Sequence, residues 1–169
     1  MRYTERMDFE TAYTTLFTPL YRYTFMRVRN YDESMDILQT VFLKVFERYA
    51  NLGPEEVRRI MYASLRNEIV DRSRKKRPIL VEDAAMTSFE DPQSIHPQRQ
   101  VEKQEALKKL SLLLESLNDE ERDIVILRYI NEEEYATIAE MFGKREAAVR
   151  KIVSRALEKL RTNHDPRNF

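Results

Sequence analysis

The spacing of apolar residues constrains the fold of this chain more than any other feature of its sequence. Apolar side chains recur at intervals of three and four residues, beginning with the series Phe9, Tyr13, Leu16, Phe17, Leu20, Tyr21, Phe25 and Val28. This interval places them on one face of an α-helix. Glycine, the residue that tight turns favour, occurs only twice, at Gly53 and Gly143. The sequence therefore predicts an all-α fold.

Three amphipathic helices are predicted in a first domain, residues 1–77. Pro19 is expected to kink or divide the first helix. Asp32 is the expected N-cap of the second. The third is expected to run from Pro54 to about Lys76. The inward residues of the second and third helices are Met35, Leu38, Val41, Phe42, Val45, Phe46, Tyr49, Val57, Ile60, Met61, Ser64, Leu65 and Ile69.

A linker and a second helical domain are predicted after the first. Residues 78–98 lack periodicity and combine prolines with acidic residues, which is typical of a tether between domains. In the second domain, residues 99–169, Asn118 followed by Glu121 predicts a capping box at the start of a helix. A short helix ended by Gly143, and a last helix from about Arg145 to Thr162, fit a helix-turn-helix pattern.

Charge is distributed unevenly along a chain whose formal net charge is zero. Residues 51–80 carry eight Lys/Arg and four Asp/Glu, and residues 144–169 carry eight Lys/Arg and three Asp/Glu. Residues 81–143 carry six Lys/Arg and fifteen Asp/Glu. Two basic segments that flank an acidic one are compatible with nucleic-acid binding.

Several functional classes are disfavoured by composition. The chain has no cysteine, so it can form neither a disulfide nor a thiolate metal site. His96 and His164 have no acidic partner at ligand spacing, so we expect no cofactor and no metal site. The sequence shows no signal peptide and no apolar run long enough to span a membrane, so we expect a cytoplasmic protein without membrane insertion.

The most basic stretch is RNEIVDRSRKKRP, residues 66–78. Asn67, Asp71 and Arg74 lie at helical spacing and therefore share one face. Arginine and lysine attract phosphates regardless of sequence, whereas asparagine can pair with the edges of bases. The other interpretation of this stretch is a solvated helix end that complements the helix dipole.

Three segments, taken in order, resemble the sigma-70 class of bacterial RNA polymerase sigma factors, specifically the small extracytoplasmic-function (ECF) group. They are SMDILQTVFLKVFERY (34–49), IMYASLRNEIVDRSRKKRP (60–78) and the stretch 117–161, which begins LNDEERDIV. The resemblance implies a non-enzymatic subunit that binds the clamp of the largest subunit of core RNA polymerase and promoter DNA. Family habit also allows an anti-sigma factor as a partner.

The resemblance assigns candidate residues to each contact. Polymerase binding would involve Asp36, Gln39 and Lys44. Contact with the minus-ten element would involve Arg66, Asn67, Asp71, Arg72, Arg74, Lys75, Lys76 and Arg77. Contact with the minus-thirty-five element would involve Arg145, Glu146, Arg150, Lys151, Ser154 and Arg155, which lie off the apolar stripe of the last helix.

The chain departs from the family pattern at several positions. The pocket for an unstacked base is expected at residues 50–54 and at the start of the third helix. Ile60 stands where many relatives carry tryptophan near the start of the minus-ten segment, and Tyr62 is either an aromatic wedge or a structural residue. Lys144 and Arg145 replace an aliphatic residue and a capping serine. Ile152 replaces an arginine, and Glu132 to Glu134 replace a turn that usually contains glycine.

Two other functions are compatible with the sequence. A stand-alone helix-turn-helix regulator would use the last helices without binding polymerase, and would need two copies for a pair of half-sites. A helical interaction protein would use its basic faces for acidic partners.

Overall fold

The computed structural model describes residues 7–49, 52–75 and 109–163, and within these ranges every regular element is an α-helix. The predicted all-α fold is therefore confirmed. The chain forms two compact units, Met1–Ala85 and Met86–Phe169. The predicted linker, residues 78–98, lies outside the described residues, and the predicted domain boundaries stay a prediction.

The first unit is a three-helix assembly. It comprises α1 (Phe9–Val28), α2 (Tyr31–Arg48) and α3 (Pro54–Lys75), and each helix contacts the other two. The centre of its core is formed by fully buried apolar side chains from all three helices, including Leu20, Ile37, Leu38, Met61 and Leu65.

One of the two alternatives predicted for α1, division at Pro19, is excluded, and the predicted N-cap of α2 is wrong. Helix α1 continues through Pro19 rather than dividing there, because buried side chains on both sides of the proline, Leu16 and Leu20, hold it in the core. The N-cap of α2 is Asn30, whose side chain accepts a hydrogen bond from the Glu33 backbone N–H at 2.9 Å. Arg29 adopts a left-handed conformation directly before it, so the chain reverses earlier than expected and Asp32 falls in the first turn.

The core face of α1 also differs from the predicted stripe. Phe9 and Tyr13 are 46% and 43% exposed, whereas Ala12 and Tyr23 are buried. The Phe9 and Tyr13 rings lie at the rim, with centroids 5.1 Å from Phe46 and 5.3 Å from Phe42 respectively. The small side chain of Ala12 suits the close approach of helices better than a ring does.

The second unit brings four helical segments together. They are α4 (described over 109–114), α5 (Asp119–Tyr129), α6 (Tyr135–Phe142) and α7 (Glu146–Asn163). Leu114, Ile124, Ile126, Ile138 and Val149 are fully or almost fully buried and form the core. The predicted capping box is confirmed, because Asn118 and Glu121 each bond the other's backbone N–H.

Two turns position α6 and α7. Glu132 has φ 58°, and so adopts a left-handed conformation between α5 and α6. Gly143 has φ 60° and ends α6 as predicted, with the Lys144 N–H bonded to the Ala139 carbonyl at 2.9 Å. Because only glycine adopts this conformation without strain, Gly143 suits the sharp turn into α7.

Candidate nucleic-acid interface

The residues predicted to read the minus-ten element lie along α3. Asn67, Asp71, Arg74 and Lys75 are exposed. Their spacing on one regular helix gives them a common face. Lys76 and Arg77, together with residues 50 and 51 of the expected base pocket, lie outside the described residues.

Tyr62 belongs to the core rather than to this face. Its side chain is 4% exposed, and its ring packs edge-on against Tyr23 at 5.5 Å between centroids. Burial of this kind favours the structural interpretation of Tyr62 over that of an aromatic wedge.

Arg72 differs from the other basic residues of α3 because acidic side chains on two helices hold it. Its Nη1 donates to Asp36 Oδ2 on α2 at 2.5 Å, and its Nε donates to Glu68 Oε1 one turn earlier on α3 at 3.0 Å. The Arg72 side chain is 26% exposed. Its guanidinium is therefore positioned before any ligand arrives.

Glu68 extends these contacts to a second residue of α2. The Lys44 ammonium donates to Glu68 Oε2 at 2.8 Å. That hydrogen bond is the largest influence on the pKa of Glu68, and together with the Arg72 contact it outweighs burial and holds the pKa below its ordinary value. We call Asp36, Lys44, Glu68 and Arg72 the α2–α3 ion-pair network.

This network joins residues that the sequence assigned to different partners. Asp36 and Lys44 are polymerase-binding candidates, and Arg72 is a minus-ten candidate. Gln39, the third polymerase-binding candidate, is exposed on the same helix, α2. The two predicted surfaces therefore meet at Arg72. Glu68 was missed, although its i,i+4 spacing to Arg72 is a local signal for an ion pair.

The second candidate surface is the start of α7. The backbone carbonyl of Arg145 accepts the N–H groups of Ala148 at 2.9 Å and Val149 at 3.2 Å, so Arg145 occupies the capping position. Its side chain carries no oxygen with which to accept the remaining N–H groups. The neighbouring Lys144 pairs with Glu120 of α5 at 3.1 Å, which ties the turn to the body of the unit.

All six candidates for the minus-thirty-five contact are exposed, namely Arg145, Glu146, Arg150, Lys151, Ser154 and Arg155. The apolar residues Val149, Val153 and Ala156 are buried on the opposite side of α7. These six residues therefore form a mainly basic surface, with Glu146 as the acidic member of the six.

Arg150 is held more firmly than an ordinary surface arginine. Its Nε and Nη2 both donate to Glu146 Oε1, at 2.9 Å and 2.6 Å. The Arg150 guanidinium carbon also lies 4.1 Å from the centroid of the Tyr135 ring, a cation–π distance. Tyr135, the first residue of α6, was missed as a site residue because no linear pattern signals its contact with α7.

A second ion pair fixes the far half of α7. Lys159 donates to Glu121 Oε1 of α5 at 2.6 Å. Burial is the largest single influence on the pKa of Glu121 and raises it, but Lys159, the Asn118 backbone N–H and the nearby charge of Arg155 together outweigh burial. The pKa of Glu121 is therefore below its ordinary value.

The described residues form neither a candidate metal site nor a candidate membrane span. Among residues 7–49, 52–75 and 109–163, no group of three or more His, Asp or Glu side chains is arranged to hold a metal ion. No helix in the described part of the chain has the length and apolar character needed to cross a membrane.

Comparison with known proteins gives matches over the second unit and over most of the chain. The model of the family described as Sigma-70, region 4, matches residues 113–162. RNA polymerase sigma factor SigV of Bacillus subtilis (strain 168) is 27% identical over 142 residues, which cover 83% of this chain and 81% of the relative. ECF RNA polymerase sigma factor SigM of the same strain is 22% identical over 156 residues, or 92% of this chain and 94% of the relative.

A solved structure shares the fold. It is the sigma factor RpoE in complex with the anti-sigma factor NepR from Bartonella quintana, with a TM-score of 0.63 and 17% sequence identity. The match covers 94% of this chain and 98% of that one.

Proposed function

We propose that the two units of this chain, an RNA polymerase sigma factor of the extracytoplasmic-function (ECF) group, make separate contacts with the promoter. The first unit holds core polymerase through α2 and contacts the minus-ten element through α3. The second unit contacts the minus-thirty-five element through α7. Nucleotidyl transfer remains with the polymerase, and the chain acts in the cytoplasm.

The observation that carries this proposal for the second unit is the arrangement of α6, the Gly143 turn and α7. A short helix and a sharp turn precede a longer helix whose exposed side bears Arg145, Arg150, Lys151 and Arg155. A recognition helix of a helix-turn-helix enters the major groove in this way, with phosphate contacts from its basic residues and base contacts from its early turns. The match to sigma-70 region 4 covers this same stretch.

The arrangement in the first unit supports contact with two partners at adjoining surfaces. Gln39 on α2 and Asn67 on α3 are both exposed, and the α2–α3 ion-pair network links the two helices. Clamp contacts on α2 would thus lie beside DNA contacts on α3. Following the predicted domain boundaries, we assign residues 1–77 to these contacts and residues 99–169 to the minus-thirty-five contact.

An anti-sigma factor is a further proposed partner. The solved relative named above is described in complex with such a protein. A protein that covered α2, α3 or α7 would block the contacts proposed here, and would keep the chain from core polymerase or from DNA.

Co-elution with core polymerase tests the polymerase contact. We expect Gln39→Arg to weaken binding of the full chain by fivefold or more, because it adds charge to the proposed interface without removing a member of the ion-pair network. Arg22→Gln, on the exposed side of α1, is the matched control and should bind as the wild type does. Failure of the wild-type chain to bind core polymerase at low salt would instead favour a stand-alone regulator.

A further inference from the structure

The Arg150 guanidinium has one occupied edge and one edge that remains available. Its five N–H donors lie in a single plane. The Nε–H and one Nη2–H point to Glu146, at 2.9 Å and 2.6 Å. The other edge, which carries donors from Nη1 and Nη2, faces away from that carboxylate, and the side chain is 58% exposed. The available edge is therefore the outer edge of the guanidinium, formed by Nη1 and Nη2.

This outer edge of a guanidinium matches one particular base. Two parallel N–H donors fit the O6 and N7 acceptors of guanine in the major groove, which is the most common specific contact of arginine with DNA. A flexible arginine must give up many rotamers to form this pair, whereas a guanidinium already fixed in its plane gives up fewer.

Tyr135 contacts the guanidinium from a second direction. Its ring lies 4.1 Å from the Arg150 guanidinium carbon and 4.8 Å from that of Arg128. Arg128 in turn donates from Nη1 to the Glu133 carbonyl at 3.1 Å, which connects the ring to the turn between α5 and α6. The ring is thus part of the body of the unit and not a side chain that follows Arg150.

Lys151 offers a contrast on the same helix. It is exposed beside Arg150, yet its ammonium is a point charge without a planar fork. A lysine in this position suits a phosphate oxygen and carries little information about sequence.

We infer that Tyr135 and Glu146 are positioning residues, which orient Arg150 to recognise one guanine of the minus-thirty-five element. The inference rests on the proposed function, in which α7 enters the major groove. It gives Glu146 a role in holding Arg150 instead of the direct DNA contact predicted from the sequence. It also separates Arg150, a reader of sequence, from Lys151, a contact to phosphate.

Transcription by the full holoenzyme tests the inference. A promoter that the wild-type holoenzyme uses is varied to all four bases at each position of its minus-thirty-five element, and initiation rates are compared. We expect one position at which guanine is preferred roughly tenfold or more. Arg150→Lys and Tyr135→Leu should reduce that preference several-fold. Tyr135→Phe keeps the ring and should therefore keep most of the preference.

Lys151→Ala provides the matched control. It should lower initiation on all promoter variants by a similar factor. It should also reduce the slope of log affinity against log salt by about 0.9, as expected for loss of one duplex phosphate contact. Far-ultraviolet circular dichroism and affinity for core polymerase establish that each variant is folded and forms holoenzyme.

The possible outcomes distinguish the inference from the proposed function. If the wild-type chain directs no transcription, the proposed function is wrong and the inference fails with it. If the wild type directs transcription but Arg150→Lys and Tyr135→Leu keep the full guanine preference, or no guanine preference exists, the inference alone is wrong.

Discussion

At the scale of single residues, Glu132 is one of two non-glycine residues, with Arg29, that adopt a left-handed backbone conformation in the described part of the chain. Its φ of 58° lies in the left-handed region, which costs a non-glycine residue roughly 1–2 kcal/mol. Glycine removes that cost, but its greater conformational entropy stabilises the unfolded chain by roughly 0.4–1 kcal/mol. We therefore expect Glu132→Gly to raise the free energy of unfolding by about 0.5–1 kcal/mol, measured by urea denaturation.

A matched replacement inside a helix should have the opposite effect. Glu158 is exposed in α7, where Glu158→Gly is expected to lower the free energy of unfolding by roughly 0.5–1 kcal/mol. A decrease with Glu132→Gly as well would mean that the acidic side chain contributes more to this turn than its backbone conformation costs.

The pKa of Glu121 predicts a pH dependence of stability. Because the pKa is lower in the folded protein than its ordinary value of 4.5, the folded state favours the carboxylate. The resulting stabilisation is present above about pH 4.5 and is lost as the pH falls through the folded pKa. Glu121→Gln should therefore destabilise the protein at pH 7 by more than at pH 3, as measured by urea denaturation at both values. An equal difference at both would contradict the proposed charge effect.

Local residue patterns predicted some of these positions and missed others. Asn118 and Gly143 were found because a cap and a left-handed turn depend on neighbours within a few residues. Asn30 was missed because its role follows from the left-handed Arg29 before it. Tyr135 and Arg150 meet only after α6 and α7 have packed, and no pattern in the linear sequence reports that contact.

At the scale of helices, Arg122 links the start of α5 to the end of α4. Its guanidinium donates to the backbone carbonyls of Leu114, Leu117 and Glu115, at 2.9, 3.1 and 3.3 Å. Leu114 is the last helical residue of α4, and Glu115 and Leu117 lie in the turn beyond it. The Leu114 carbonyl also accepts the Leu117 N–H at 3.2 Å. Carbonyls at the end of a helix lack the N–H partners that a next helical turn would supply. Arg122 thus caps the end of α4 with side-chain hydrogen bonds.

Replacing Arg122 should destabilise the second unit. We expect Arg122→Met, which keeps the aliphatic stem, to lower the free energy of unfolding by about 2 kcal/mol, because charge-assisted hydrogen bonds are lost. Arg161→Met, an exposed position near the end of α7, should change it by less than about 0.5 kcal/mol. Equal small changes in the two variants would show that water replaces Arg122 without loss.

Helix periodicity identified the elements better than it identified their buried faces. The intervals of three and four residues correctly indicated α1, α2 and α3, but Phe9 and Tyr13 were assigned to a core from which they are largely excluded. The precise rotation of a helix depends on which side chains allow its neighbours to approach. That choice between Ala12 and Tyr13 is made by packing and not by hydrophobicity.

At the scale of the whole molecule, zero net charge conceals two surfaces suited to phosphate. Each single-strand phosphate contact is expected to contribute about 0.7 to the slope of log affinity against log salt. Simultaneous Arg74→Ala, Lys75→Ala and Lys76→Ala replacements should therefore reduce the slope for promoter binding by holoenzyme by about 2. Arg22→Ala should leave it unchanged. An unaltered slope in the triple variant would favour an interaction protein whose basic faces bind acidic partners.

Run-off transcription by core polymerase over a random promoter library is the most direct measurement of the central claim. With the full chain present, we expect transcripts from a subset of templates that share two sequence elements at a fixed separation. Core polymerase alone should not produce these transcripts. A folded chain that yields only the transcripts made by core polymerase alone would contradict the assignment of this protein as an initiation subunit.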